Sequence, residues 1–196
     1  MSACDTLPMG MDMLPHTPGT WTEEEFFALD ETTERVELHE GRLLVSPSPV
    51  GPHQDVSLSL AVALLPAARA RKLWVRLDID VRIAPGTIMR PDLIIADGPR
   101  VATVTAASDV LLICEITSPG NASNDRVLKM ELYASAKIKW YLLIEPDMTD
   151  YEFLTARLLR LDGDRYVEHS VTEYGEELVL EEPFPIAIDT GRLFGI

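Results

Sequence analysis

Two carboxylates set in apolar, strand-like runs limit what this chain can fold into more than any other feature. Asp92 lies in Arg90-Pro-Asp-Leu-Ile-Ile, and Glu115 lies in Leu111-Leu-Ile-Cys-Glu-Ile-Thr-Ser-Pro. A carboxylate buried alone is strongly penalised, or stays protonated. Two that come close together share a proton or hold a cation. The fold must therefore bring positive charge to both runs.

Alternation along residues 110–117 puts Leu111, Ile113, Glu115 and Thr117 on one face. Glu115 then stands near the C-terminal end of an apolar, central strand, where α/β sheets place their sites. Asp92 stands at the start of its own strand, and an antiparallel pairing of the two strands makes the carboxylates converge. Residues 118–124 read as a turn leading into a helix that runs to about Lys137. On that helix Leu128, Leu132, Tyr133 and Ala136 cover an inward arc of roughly 140°. Lys129 falls inside the arc, so it snorkels outward or meets a buried anion. Asp92, Glu115 and the backbone carbonyl of Ile116 suit Mg²⁺ or Mn²⁺, with Lys129 placed to stabilise charge on an attacked phosphate. The same spacing also suits a plain structure: Asp92 as a turn device, Lys129 in solvent, or a Glu115–Lys129 salt bridge.

The rest of the chain reads as a mixed α/β fold. Thr22 with Glu25 is a capping box, predicting a short helix through Leu29. Residues 35–38 and 42–46 predict a hairpin closed by His39-Glu40-Gly41. The proline-rich stretch 46–52 predicts a loop, and residues 53–71 a long, largely buried helix kinked or shortened by Pro66. Residues 73–83 alternate as one strand, 91–96 and 139–144 as further strands, and 151–180 as an antiparallel meander.

Length and composition suit one sizeable core, with residues 1–19 as a disordered leader and 20–196 as a single domain. No apolar run approaches a membrane span, and the leader, lacking Lys and Arg, does not read as a secretory signal. Cys4 and Cys114 make no disulfide framework, which predicts a cytoplasmic protein. The net charge of −15 argues against a protein that coats nucleic acid, and residues 145–190 carry most of the acidic excess. Arg69, Arg71, Lys72 and Arg76, together with Arg126, are the candidate phosphate contacts.

These blocks resemble the Uma-type restriction-endonuclease family within the PD-(D/E)XK nuclease superfamily. Its opening is similar to Thr22-Glu-Glu-Glu-Phe26 and Val36-Glu37-Leu38-His-Glu-Gly41, with Val36 where the family has Tyr. Ser46-Pro47, His53, Glu115-Ile-Thr-Ser-Pro119 and Asp125-x-x-x-Lys129-x-x-x-Tyr133 follow in the family's order, over roughly residues 20–190. The resemblance implies a restriction-endonuclease-like core, a mixed β-sheet flanked by helices with a C-terminal antiparallel meander. It implies Asp92 and Glu115 as metal ligands, Glu37 as an accessory acid, and His53, Thr117 and Tyr133 as accessory positions. The superfamily lysine sits two residues after the glutamate, where this chain has Thr117; the Lys-x-x-x-Tyr pattern moves it to Lys129. The implied function is a metal-dependent DNA endonuclease acting as a homodimer. The alternatives are a catalytically inactive nuclease fold binding DNA or protein, and a hydrolase of a small phosphorylated substrate.

Overall fold

The computed structural model describes residues 20–29, 34–118, 125–147, 149 and 151–194. The leader expected over residues 1–19 lies outside the described residues. The capping box forms as expected: the Thr22 hydroxyl accepts from the Glu25 amide and the Glu25 carboxylate accepts from the Thr22 amide. The helix it starts, α1 (Glu23–Phe27), stops short of Leu29.

Strands β1 (Arg35–His39) and β2 (Arg42–Ser46) form the expected hairpin, with His39 opposite Arg42. Both turn residues, Glu40 and Gly41, have positive φ, the geometry of a two-residue turn that matches strand twist. A Cβ on Gly41 would lie 2.4 Å from that of Thr20, so only glycine fits against the incoming chain.

Helix α2 (Gly51–Ala70) begins two residues earlier than expected, because Pro52 lies in the first turn, where its missing N–H is not needed. It also continues past Pro66. Only one stripe is buried, Val56, Leu60, Leu64 and Ala68 at four-residue spacing, while Leu58 and Val62 are exposed. Each large side chain in that stripe contributes about 1.5–3 kcal/mol of burial.

The stretch read as one strand over 73–83 is two: β3 (Trp74–Leu77) and β4 (Asp80–Ala84). Asp78, at φ 50°, breaks the run and sends its halves to different sheets. Strands β5 (Thr87–Met89), β6 (Leu93–Ala96), β7 (Val104–Ala106) and β8 (Val110–Ile116) follow. Then come a π-helical turn (Asp125–Lys129), α3 (Met130–Ser135) and β9 (Trp140–Pro146). The chain closes with β10 (Leu154–Asp162), β11 (Arg165–Glu173), β12 (Glu177–Leu180) and β13 (Ile186–Asp189).

The central sheet has the order β11-β10-β9-β8-β6-β3, with β8 and β9 parallel and the other neighbours antiparallel. A second sheet runs β2-β1-β5-β4-β7. One face of the central sheet packs Leu93, Ile95, Leu112, Cys114 and Ile116 on the α2 stripe. The other packs Ile94, Ile113 and Tyr141 beneath Tyr133 and Ala134 of α3. This is the mixed, helix-flanked α/β fold expected from the sequence. A shift in register between β6 and β8 makes Leu111 an extra residue, so it packs on the α2 side and not, as alternation predicts, beside Ile113. The C-terminal antiparallel strands are present too, but β12 leaves β11 and pairs with β13. Leu178, Leu180 and Ile188 gain burial against the α2 core by that exchange.

Candidate active site

Strand register brings the two carboxylates together. Leu93 pairs with Cys114 and Ile94 with Ile113 in antiparallel β6 and β8, so the next step outward sets Asp92 against Glu115. Both lie on the face that carries Ile94 and Ile113, near the end of the central strand.

Four further side chains converge on the pair. In β1 alternation turns Val36 and Leu38 toward the apolar cluster under α1 and turns Arg35 and Glu37 the opposite way. Arg35 Nη1 donates to Asp92 Oδ1 at 2.6 Å. His53, in the first turn of α2, has Nε2 3.2 Å from Asp92 Oδ2. The Ile116 amide donates to the same oxygen at 2.7 Å. Around Glu115, the Tyr133 hydroxyl donates to Oε1 at 2.5 Å and Lys129 Nζ lies 3.2 Å away. The lysine also stands 3.3 Å from Glu37 Oε1, which accepts from the Arg90 amide at 2.7 Å.

Lys129 ends the π-helical turn, an element that recurs at functional sites because it re-aims side chains. With Tyr133 four residues on, it presents two donors to one oxygen. Asp92, Glu37, His53 and Lys129 are at most 5% exposed and Glu115 is fully buried, so these charges are read in a low-dielectric setting.

Burial by itself would raise the pKa of Asp92. The Arg35 guanidinium, His53 and Lys129 overcome it and hold the carboxyl well below the usual range. Burial likewise opposes charge on Arg35, and Asp92, Glu115 and Glu37 more than restore it. Burial, reinforced by Glu115, raises the Tyr133 hydroxyl well above its ordinary value, so Tyr133 remains a donor. A depressed carboxyl adds stability that is complete above the unfolded aspartate pKa of about 3.9 and is lost as pH falls through the lower folded value. Urea denaturation from pH 5 to pH 3 is therefore expected to show wild type losing more stability than Asp92→Asn. Equal losses would contradict the depressed pKa.

The structure unites Asp92, Glu115, Lys129, Glu37, His53 and Tyr133 and places the Ile116 backbone among them. The Ile116 N–H donates to Asp92. Thr117 is buried beyond the end of β8, and its hydroxyl makes no hydrogen bond among the described residues. The predicted phosphate contacts stand apart. Arg69, Arg71 and Lys72 are exposed at the far end of α2, about 24 Å along its axis from His53 at 1.5 Å per residue. Arg76 is spent on Thr105 and on the carbonyls of Pro99 and Arg100. The side chain of Arg126 lies outside the described residues.

Sequence reasoning missed Arg35. Its signal was its place two residues before Glu37 on a strand whose other face is apolar.

Among the described residues no three His, Cys, Asp or Glu side chains are arranged around one cation. The smaller set of two carboxylates and a backbone carbonyl still has the hard oxygen donors that Mg²⁺ or Mn²⁺ takes. With His53 neutral, Asp92, Glu115 and Glu37 outnumber Arg35 and Lys129, leaving a net negative charge for a divalent ion to offset. The donor set fits such an ion once Arg35 yields Asp92 Oδ1.

Comparison with known proteins shows the family and the fold. The family model Uma2, described as "Putative restriction endonuclease", matches residues 23–191. A crystal structure described as a putative nuclease from Anabaena variabilis shares the fold with a TM-score of 0.63. The two chains are 20% identical, over 88% of this chain and 97% of that one. No curated protein matches.

Proposed function

Because the chain belongs to the Uma2 family, described as putative restriction endonucleases, we propose that it is a Mg²⁺- or Mn²⁺-dependent DNA endonuclease hydrolysing phosphodiester bonds. One observation supports this reading above the others. Two buried carboxylates stand at the facing ends of paired strands, the Ile116 amide donating to Asp92 and a buried lysine lying against Glu115.

In this proposal Asp92 and Glu115 would hold the ion, with the Ile116 carbonyl as third protein ligand, and the ion's chemistry there would be an acidified water and a polarised phosphodiester. His53 and the Ile116 amide fix the orientation of Asp92, and Tyr133 fixes that of Glu115. Lys129 carries positive charge to the attacked phosphate, and Glu37 holds the ammonium in place. The exposed basic residues at the end of α2 are too distant for the scissile phosphate and would meet only a remote part of a duplex.

Among the described residues no helix is long and apolar enough to cross a membrane. A cytoplasmic location and a homodimer cutting both strands remain part of the proposal.

The test is cleavage of supercoiled plasmid by the purified chain. Nicking or linearisation is expected with Mg²⁺ or Mn²⁺ and none with chelator; undiminished cleavage in chelator, or no cleavage with either ion, contradicts the proposal. One observation favours a second reading, an inactive nuclease fold that binds DNA or protein: Arg35 already occupies Asp92. That reading predicts DNA or protein binding without metal uptake.

A further inference from the structure

Arg35 is a buried guanidinium that leaves most of its hydrogen-bonding capacity unused. It meets Asp92 through Nη1 alone, and its buried Nε and Nη2 make no hydrogen bond among the described residues. Arginine–carboxylate pairs are frequently two-pronged, a form that is stronger and geometrically fixed. The single contact, on the oxygen that the Ile116 amide and His53 leave free, sets beside Asp92 a charge held by one hydrogen bond.

The surroundings give a reason for such a device. Asp92, Glu115 and Glu37 lie in one low-dielectric cluster, and without a cation beside Asp92 their mutual repulsion would be uncompensated on that side. Lys129 serves Glu37 and Glu115, and His53 adds full charge only when protonated, so Arg35 is the permanent charge assigned to Asp92. It takes the role a divalent ion would take, on the same carboxylate.

We propose that Arg35 is the internal counter-ion of Asp92 in the metal-free protein and competes with the divalent cation for it, so that Arg35 sets the metal affinity of the site. It is a positioning residue. The proposal rests on the reading of Asp92 and Glu115 as metal ligands.

Titration calorimetry with MnCl₂ alone, on the full chain, tests it through binding and not through activity. Opposite charge beside a carboxylate shifts its affinity for a proton by about one to three decades, and competition for a cation follows the same electrostatics. Arg35→Gln is therefore expected to bind Mn²⁺ about tenfold more tightly than wild type. Arg35→Lys, which keeps the charge, should stay near wild type, and adding Asp92→Asn to Arg35→Gln should abolish the gain.

Melting supplies an independent readout. In chelator Arg35→Gln should melt below wild type, and Mn²⁺ should raise its melting temperature more than it raises that of wild type. If Arg35→Gln does not fold in chelator, recovery of its circular dichroism on adding Mn²⁺ supports the proposal, and no recovery overturns it. Wild-type binding that is unchanged or weakened in Arg35→Gln overturns the proposal and leaves the metal site standing. Absence of binding in every variant overturns the metal site and this proposal with it.

Discussion

Lys129→Met is expected to destabilise the protein by about 3–5 kcal/mol, the cost of removing one member of a buried ion pair and leaving its partner charged. Two carboxylates depend on this lysine: Glu115 at 3.2 Å and Glu37 at 3.3 Å. Neither is near solvent, so water cannot take over the role of the ammonium. The substitution preserves much of the side-chain volume, which separates the charge effect from a cavity. The loss is comparable to the whole stability of an ordinary domain, so failure to fold at 25 °C counts as agreement.

Urea denaturation measures the loss. The double variant Lys129→Met with Glu115→Gln should recover part of it, since neutralising Glu115 removes one of the orphaned charges. A loss below about 1 kcal/mol, the range of an exposed pair, would show that the buried network is not held by Lys129. The lysine is thus structural as well as a candidate for catalysis, and loss of cleavage in a Lys129 variant cannot by itself assign it a chemical role.

Glu115→Gln is expected to lower the rate of metal-dependent cleavage by about a hundred- to a thousandfold while preserving the fold. Glutamine keeps the carbonyl oxygen that accepts from Tyr133 and faces Lys129, but it removes the negative charge that would hold the ion. The same change at Asp92 is harsher. That carboxylate accepts from Arg35 on one oxygen and from the Ile116 amide, with His53, on the other. An asparagine there must turn its amide toward one of those donors, leaving a buried clash of N–H groups. Glu115→Gln is therefore the cleaner probe. Plasmid cleavage at saturating Mg²⁺, with melting as the control for folding, measures the effect; a wild-type rate in a folded variant would remove Glu115 from the reaction.

Local signals were legible in the sequence, and of the long-range pairings only that of Asp92 with Glu115 was. The Thr22–Glu25 capping box and the His39–Arg42 hairpin could be read because their partners lie within a few residues. The meeting of Asp92 with Glu115 could be read because each marks one end of an apolar strand, so a single assumption about pairing fixed the register. Lys129 could be read because a lysine in an apolar helical stripe is out of place.

Alternation over 73–83, by contrast, hid the break at Asp78, since both halves keep the same period on opposite sides of it. The extra residue at Leu111 appears only when β8 is laid against β6. Glu177–Leu180 follows its neighbours like a third meander strand, yet burial against α2 draws it to β13. Arg35 was hidden for a related reason: at the start of a hairpin strand it looks like a solvent-facing residue, and only the packing of one sheet against the other turns it onto Asp92.

In the proposed function Asp92 and Glu115 together hold one divalent ion. Diffraction from crystals soaked in MnCl₂, recorded at the manganese absorption edge, tests it most directly. One anomalous peak is expected within coordination distance of both carboxylates, with Arg35 moved off Asp92. A map with no peak there at millimolar Mn²⁺, and Arg35 still seated on Asp92, would contradict it.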